Sequence, residues 1–254
     1  MSGNVIASTA GRVARIELAR PEKKNALTGE MYAQLTEALA AAGRDPQVRV
    51  VLLAGNRECF TAGNDVSDFL ARKPGGTSPV FGLFQVLPAL EKPVVAAVAG
   101  PAVGIGTTLL LHCDLVYAAA DARFQLPFVP LGIVPEFGST LLLPRLSGYQ
   151  RAAKLLLLGQ PFGAQEAFEA GIVTEVVLKE ELLEKAEAAA AMLAALPPES
   201  LKLTKRLMKQ GQARELEAQI AEEGRLFVER LASPEAKEAM SAFLEKRKPD
   251  FSRF

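Results

Sequence analysis

The sequence contains no tryptophan, one histidine and two cysteines, and each scarcity removes a class of chemistry. With His112 as the single imidazole, a multi-histidine metal site cannot be assembled. A histidine-based triad would have to be built on a residue that ends the apolar run TTLLLHCD, with no serine elbow nearby. His112 therefore reads as a helix-end or core histidine. Cys59 and Cys113 lie far apart and follow no metal spacing, so they read as small buried hydrophobes. Charge of one sign is lacking as well. The 29 lysines and arginines balance 29 aspartates and glutamates, and no segment is strongly one-signed, which argues against nucleic acid as a partner. Apolar runs such as KPVVAAVAGPAVGIG are broken by Pro and Gly short of the ~20 residues a membrane helix needs, so no membrane partner is expected. The first residues, MSGNVIASTAGR, lack a cationic start followed by an apolar stretch, so no signal peptide and a cytoplasmic location are expected.

What is there can build a large core, since 254 residues with 49% hydrophobic fit one large domain, with or without an appendage. RVARIEL (12–18) alternates with period two and predicts a strand. TGEMYAQLTEALAAAG (28–43) opens with a Thr/Glu capping pattern and predicts a helix that stops at Gly43. VRVVLLAG (48–55), KPVVAAVAG (92–100) and DLVYAA (114–119) are short apolar runs, as expected for parallel strands buried on both faces. GIVTEVV (171–177) is the last strand signal. Beyond it the helical period dominates, broken by LPPES (196–200) and restarted at SPEAKEAMSAFLEKR with Ser and then Pro at the first helical position. The expected architecture is α/β, with a core over 1–195 and a helical region over 196–254. The Gly/Pro/Ser-rich stretch ARKPGGTSPV (71–80) predicts a loop, either a lid over a site or a plain surface connection.

Three stretches carry possible chemistry. CFTAGNDVSDF (59–69) follows a strand and opens a helix, so backbone N–H groups there can hold an oxyanion; Gly63 permits the turn and Asp65 can cap the helix. Ordinary α/β punctuation reads the same way. GPAVGIGTTLLL (100–111) repeats strand, turn and helix. A dinucleotide fingerprint with Asp121 as the ribose acid fails, because Leu109 stands where the third glycine belongs and the helix is too short for a crossover. Two such turns on neighbouring strand ends, each offering one backbone donor, would form an oxyanion hole. The third stretch, PLGIVPEFGSTLLLP (130–144), holds one ionisable side chain, Glu136. Apolar surroundings would raise its pKa and make it a proton-transfer base; alternatively it complements the dipole of the helix starting near GSTLLL.

LARPEKKNALT, CFTAGNDVSDF, GPAVGIGTTLLLHCDLVYAAADARF, PLGIVPEFGS, AFEAGIVTEVV and FLEKRKPDF occur in one order over nearly the whole chain, and in this the sequence resembles the crotonase superfamily of enoyl-CoA hydratases and isomerases. The resemblance implies a spiral of stacked ββα units followed by helices that build homotrimers, often paired into hexamers. It implies an acyl-CoA thioester as substrate, with coenzyme A arriving as part of that substrate and no separate cofactor or metal. The thioester oxygen would be held by the backbone amides of Asn64 and Ile105, in turns shaped by Gly63 and Gly104. Backbone near Ala62 would lie beside the adenine, Lys23 and Lys24 near the phosphates, and Lys246 would bind CoA across a trimer. Asp65, Thr108 and Phe128 fall within the same substrate-binding surface, Asp65 and Asp68 reading as helix-capping and solvated acids.

The departures select a branch. Thr108 and Phe128 occupy the positions where hydratases carry two glutamates, while Glu136 occupies the position of the single catalytic glutamate of 3-enoyl to trans-2-enoyl isomerases. The resemblance therefore implies an isomerase of fatty-acid β-oxidation type. The alternatives are a hydratase or other crotonase reaction using Glu136, and a non-catalytic acyl-CoA-binding member. Loops such as 70–85 would set the acyl-tail preference.

Overall fold

The computed structural model describes residues 3–65, 67 and 78–254. A larger sheet carries six strands, β1 (Val5–Ala10), β2 (Val13–Leu18), β3 (Val50–Ala54), β4 (Val94–Val98), β6 (Leu115–Ala119) and β9 (Glu175–Val177), in the order β1-β2-β3-β4-β6-β9. Only the β1–β2 hairpin is antiparallel; the other neighbours run parallel. The predicted strands are all present. β1 was not expected, because its outward side chains leave no apolar alternation to detect. A second sheet orders β5 (Pro101–Val103), β7 (Arg123–Gln125) and β8 (Phe162–Gly163).

The two sheets grow together. After β3, Thr61 bridges in parallel to Ala102; after β4 comes β5; after β6 comes β7, paired in parallel with β5. Each turn of chain thus lays one strand on the large sheet and one short strand on the small one, which is a spiral of ββα units. Strands of two or three residues lie below the length at which hydrophobic period is readable, so β5 falls within a stretch read as a turn and β7 was not expected.

β3 and β4 are buried along their whole length, and their period-two faces enter two separate cores. Val51, Leu53, Val94 and Ala96 face the main core, which also receives Leu35 and Leu39 of α1 (Gly29–Arg44) and Leu83 and Leu87 of α2 (Val80–Ala89). Val50, Leu52, Val95 and Ala97 face the other side, where Leu182, Ala186, Ala190 and Ala194 present one face of the helix Leu182–Ala195. The alanines at every fourth position let this helix sit close on the sheet. Thr28 caps α1, its side chain accepting from the Met31 N–H.

Between these helices lie a single turn, α3 (Ile105–Thr108), then α4 (Ser139–Ser147), α5 (Tyr149–Leu158) and α6 (Ala164–Glu169); the helix Leu182–Ala195 is α7. The tail is helical as expected: α8 (Pro198–Gln210), α9 (Ala213–Leu231) and α10 (Pro234–Leu244). It folds back on the core. Lys205 of α8 is buried, pairing with Asp114 at 2.6 Å and donating to the Lys92 carbonyl at 2.8 Å. α9 lies on α4, and α10 packs beside residues 129–131.

Candidate active site

The first expected turn is built by an edge-to-edge contact with the segment before α1. Leu27 donates to the Gly63 carbonyl at 2.8 Å and accepts from the Asp65 N–H at 3.0 Å. In this parallel bridge both backbone groups of Leu27 go to the residues flanking Asn64, so the Asn64 N–H faces the opposite side. The Asn64 side chain is fixed too, its Oδ1 accepting from the hydroxyl of buried Tyr32 at 2.6 Å. Gly63 has φ +90°, and a Cβ there would lie 2.7 Å from the Val103 carbonyl oxygen. Glycine is needed for both reasons.

That contact joins the first turn to the second. Gly104, at φ 56° and ψ −117°, opens α3, and Ile105 is the first helical residue, so its N–H has no partner inside the helix. Gly106 faces Thr61 so closely that a Cβ would lie 2.5 Å from the Thr61 methyl. Two adjoining turns, one from each neighbouring ββα unit, therefore each keep one backbone donor turned away from the packing.

The carboxylate arrives from a third turn. Glu136 is buried, and its Oε1 lies 2.5 Å from the hydroxyl of Thr108, the last residue of the helical turn that begins with the Ile105 amide. Burial pushes its pKa up to about 8; the Thr108 hydrogen bond opposes this, and the negative charge of Glu223 adds to it. The Glu136 carbonyl accepts from the Ser139 N–H at 3.2 Å across Phe137 and Gly138, both at positive φ (62° and 74°). Positive φ at both central residues is the pattern of a type I′ turn, unusual for a phenylalanine and worth roughly 1–3 kcal/mol of strain. Tertiary contacts hold it. The Phe137 ring is fully buried, stacking on Phe84 at 4.3 Å and on His112 at 4.0 Å. Its carbonyl accepts from His112 Nε2 at 2.8 Å, which fixes the tautomer. Burial pulls that imidazole down to about 3, so His112 is the neutral core residue expected.

The reading of Glu136 as the dipole partner of the following helix is corrected. The carboxylate at the N-terminus of α4 belongs to Glu223, on α9, which accepts from the N–H groups of Gly138 at 2.5 Å and Thr140 at 3.0 Å. Sequence reasoning missed Glu223, Tyr32, Arg20 and Asn25. Arg20 pairs with Asp65 at 2.7 Å and donates to the Ala26 carbonyl, so Asp65 is ion-paired rather than merely solvated, while its other oxygen accepts from Ser67 N–H as a cap would. Buried Asn25, at φ 54°, donates to the carbonyls of Cys59 and Phe60 and receives the Arg20 N–H. For Arg20, Asn25 and Tyr32 the only available signal was their presence in the stretches RPEKKNALT and TGEMYAQL; Glu223, in AEEGRLF of the helical tail, carried none.

Ala62 donates to the Lys24 carbonyl at 2.9 Å, so the exposed Lys23 and Lys24 stand at the first turn. Phe128 is a buried core side chain whose carbonyl caps the turn at 131–133. Lys246 is exposed after α10, and no described contact joins it to the other site residues. Asp68 and most of 71–80 lie outside the described residues. Both thiols are free; Cys59 is buried, with its pKa pushed up to about 11, and Cys113 is half-buried. Among the described residues no cluster of metal-ligating side chains occurs, and no helix is long and apolar enough to cross a membrane. Beside the Phe137 stack is a mostly apolar cavity of about 780 Å³, lined by Phe84, Leu111, His112, Leu142, Leu216 and Ile220 among others.

Two backbone amides able to hold a carbonyl oxygen, with one buried carboxylate of raised pKa tied to the same helical turn, define a protein suited to proton transfer through an enolate. Comparison with known proteins gives the family. Residues 8–253 match the enoyl-CoA hydratase/isomerase family model. The chain is 39% identical over 251 residues to the 2,3-dehydroadipyl-CoA hydratase of Escherichia coli, covering 97% of this chain and 98% of that protein. It is also 39% identical over 251 residues to the 1,2-epoxyphenylacetyl-CoA isomerase of Escherichia coli, covering 94% and 95%. A crystal structure of an enoyl-CoA hydratase/isomerase from Pseudoalteromonas atlantica superposes with a TM-score of 0.94 at 44% identity, covering 98% of this chain and all of that one. The chain belongs to the enoyl-CoA hydratase/isomerase family. It is an acyl-CoA-processing enzyme of crotonase fold.

Proposed function

We propose that the protein isomerises 3-enoyl-CoA to trans-2-enoyl-CoA with Glu136 as its single acid–base group. The thioester oxygen is held by the Asn64 and Ile105 amides. Ionised Glu136 removes a proton from the carbon next to the thioester, the electron pair delocalises into a dienolate, and protonated Glu136 returns the proton two carbons further on. No atom is gained or lost, so one carboxylate suffices. Each oxyanion donor is worth about 3–4 kcal/mol and the base about 3–5 kcal/mol of barrier in comparable devices.

The observation that carries this reading is the buried Glu136 on Thr108, with Thr108 and Phe128 standing where the resemblance puts the two hydratase glutamates. Lys23 and Lys24, beside Ala62, are suited to the CoA phosphates. Exposed Leu203, Leu207, Met208, Phe243 and Leu244 on the tail helices offer apolar surface for a homotrimer, which light scattering would measure, a monomer overturning it. The expected compartment is the cytoplasm.

A second reading, hydration, is favoured by the Thr108 hydroxyl, which with Glu136 could orient a water, and by the hydratase name of one relative. Incubation with a 3-enoyl-CoA and, separately, with a 2-enoyl-CoA decides between them. Isomerisation of the first with slow hydration of the second is expected; rapid 3-hydroxyacyl-CoA formation from the second overturns the isomerase reading. A Glu136→Gln enzyme with unchanged turnover would overturn both.

A further inference from the structure

Glu223 lies on α9, in the helical tail, yet it is 3% exposed and its carboxylate faces the turn that follows Glu136. It accepts from the Gly138 N–H, the Thr140 N–H and the Thr140 hydroxyl. The direction of the last bond is fixed, because Gln219 Nε2 donates to the same hydroxyl oxygen at 2.8 Å and leaves its proton for Glu223. Neighbouring acids on α9 serve the surface instead: Glu215 pairs with Arg145, and Glu222 and Glu229 with Arg225. Among the described residues no cation lies within ion-pairing distance of Glu223. Its charge is met by the amide ends of α4.

We propose that Glu223 is a positioning residue for Glu136: by holding the N–H of Gly138 and both donors of Thr140 it locks the strained Phe137–Gly138 turn that aims the Glu136 carboxylate at the substrate carbon. This rests on the reading of Glu136 as the base. Phe137 needs such a lock, since a phenylalanine at φ 62° would relax if the chain after it were free. The rings of Phe84 and His112 hold its side chain, and Glu223 holds its backbone on the far side. Glu223 also places a second negative charge behind Glu136, while His112, packed on the same turn, is neutral and Thr108 contributes only a hydroxyl. The tail thereby reaches the reacting group through one carboxylate.

The test is steady-state isomerisation by wild type, Glu223→Gln, Glu223→Asp, Thr140→Val and Glu136→Gln, with the pH profile of kcat/KM. For Glu223→Gln, kcat is expected to fall roughly 10- to 100-fold with KM within about twofold, as for a reacting group displaced by about 1 Å. The acidic limb of the profile moves to lower pH, because a negative neighbour of Glu136 is gone. Glu223→Asp keeps the charge and so restores the limb while recovering kcat only in part, a split that a purely structural role would not produce. If Glu223→Gln does not fold, Thr140→Val decides: kcat falls roughly threefold through one lost hydrogen bond, and an unchanged kcat overturns the proposal. A Glu223→Gln enzyme that melts lower yet turns over and titrates like wild type also overturns it. Glu136→Gln at wild-type turnover would instead reject the underlying reading.

Discussion

The two turns that carry the backbone donors and the turn that carries Glu136 are built by opposite means. The donor turns use glycines and sheet-like pairing: Gly63 and Gly104 supply the geometry, and the Leu27–Asn64 and Thr61–Ala102 bridges hold it. The charges beside the first turn, Arg20 and Asp65, pair with each other. The Glu136 turn uses a phenylalanine in a left-handed conformation, a buried carboxylate and contacts from three separate helical segments. An oxyanion hole must be rigid and neutral, which backbone pairing provides; a base must have its proton affinity tuned, which only burial and neighbouring groups provide.

The largest expected effect breaks the second side of this comparison. Glu136→Gln keeps shape and burial, and isomerisation should fall on the order of 10⁴-fold while CoA-ester binding by calorimetry is retained. On the first side, Gly63→Ala places a methyl 2.7 Å from the Val103 carbonyl and in a strained backbone region. A drop of roughly 10²–10³ in kcat is expected from the displaced donor, with about 1–3 kcal/mol of stability lost by denaturant titration. A harmless Gly63→Ala would show that the donor turns are not rigid.

The pH dependence sharpens the contrast, since only one side titrates. With Glu136 raised to about 8, kcat/KM should climb about tenfold per pH unit up to pH 8 and then level off. Stability runs the other way. A carboxyl whose folded pKa lies above its unfolded value costs nothing below about 4.5 and progressively destabilises as pH rises from there to about 8. Glu136→Gln should therefore raise the melting temperature at pH 9 and leave it unchanged at pH 4, the gain being at most about 5 kcal/mol. An equal effect at both pH values would place the carboxylate in water. The smallest effect belongs to Tyr32→Phe, which removes the 2.6 Å bond to Asn64. About 1 kcal/mol of stability and a severalfold loss of kcat are expected, measured by melting and steady-state assay.

By itself the sequence determined the parallel strands, the capped first helix and the two glycine turns, because hydrophobic period and turn chemistry act over a few residues. Glu136 was visible as an anomaly, but its surroundings were not: Thr108 is 28 positions away, and Glu223 is 85 positions from Gly138, whose N–H it accepts. Local reasoning consequently left Glu136 open as a helix-dipole partner, a role that Glu223 fills. The short strands β5, which bridges to Thr61 beside the first donor turn, and β7, paired with β5, were equally invisible, since three residues carry no period. Only the tertiary structure decided which carboxylate caps α4 and which is left, desolvated, beside Thr108. A pKa is set by what surrounds a group in space, and chain order does not encode that locally.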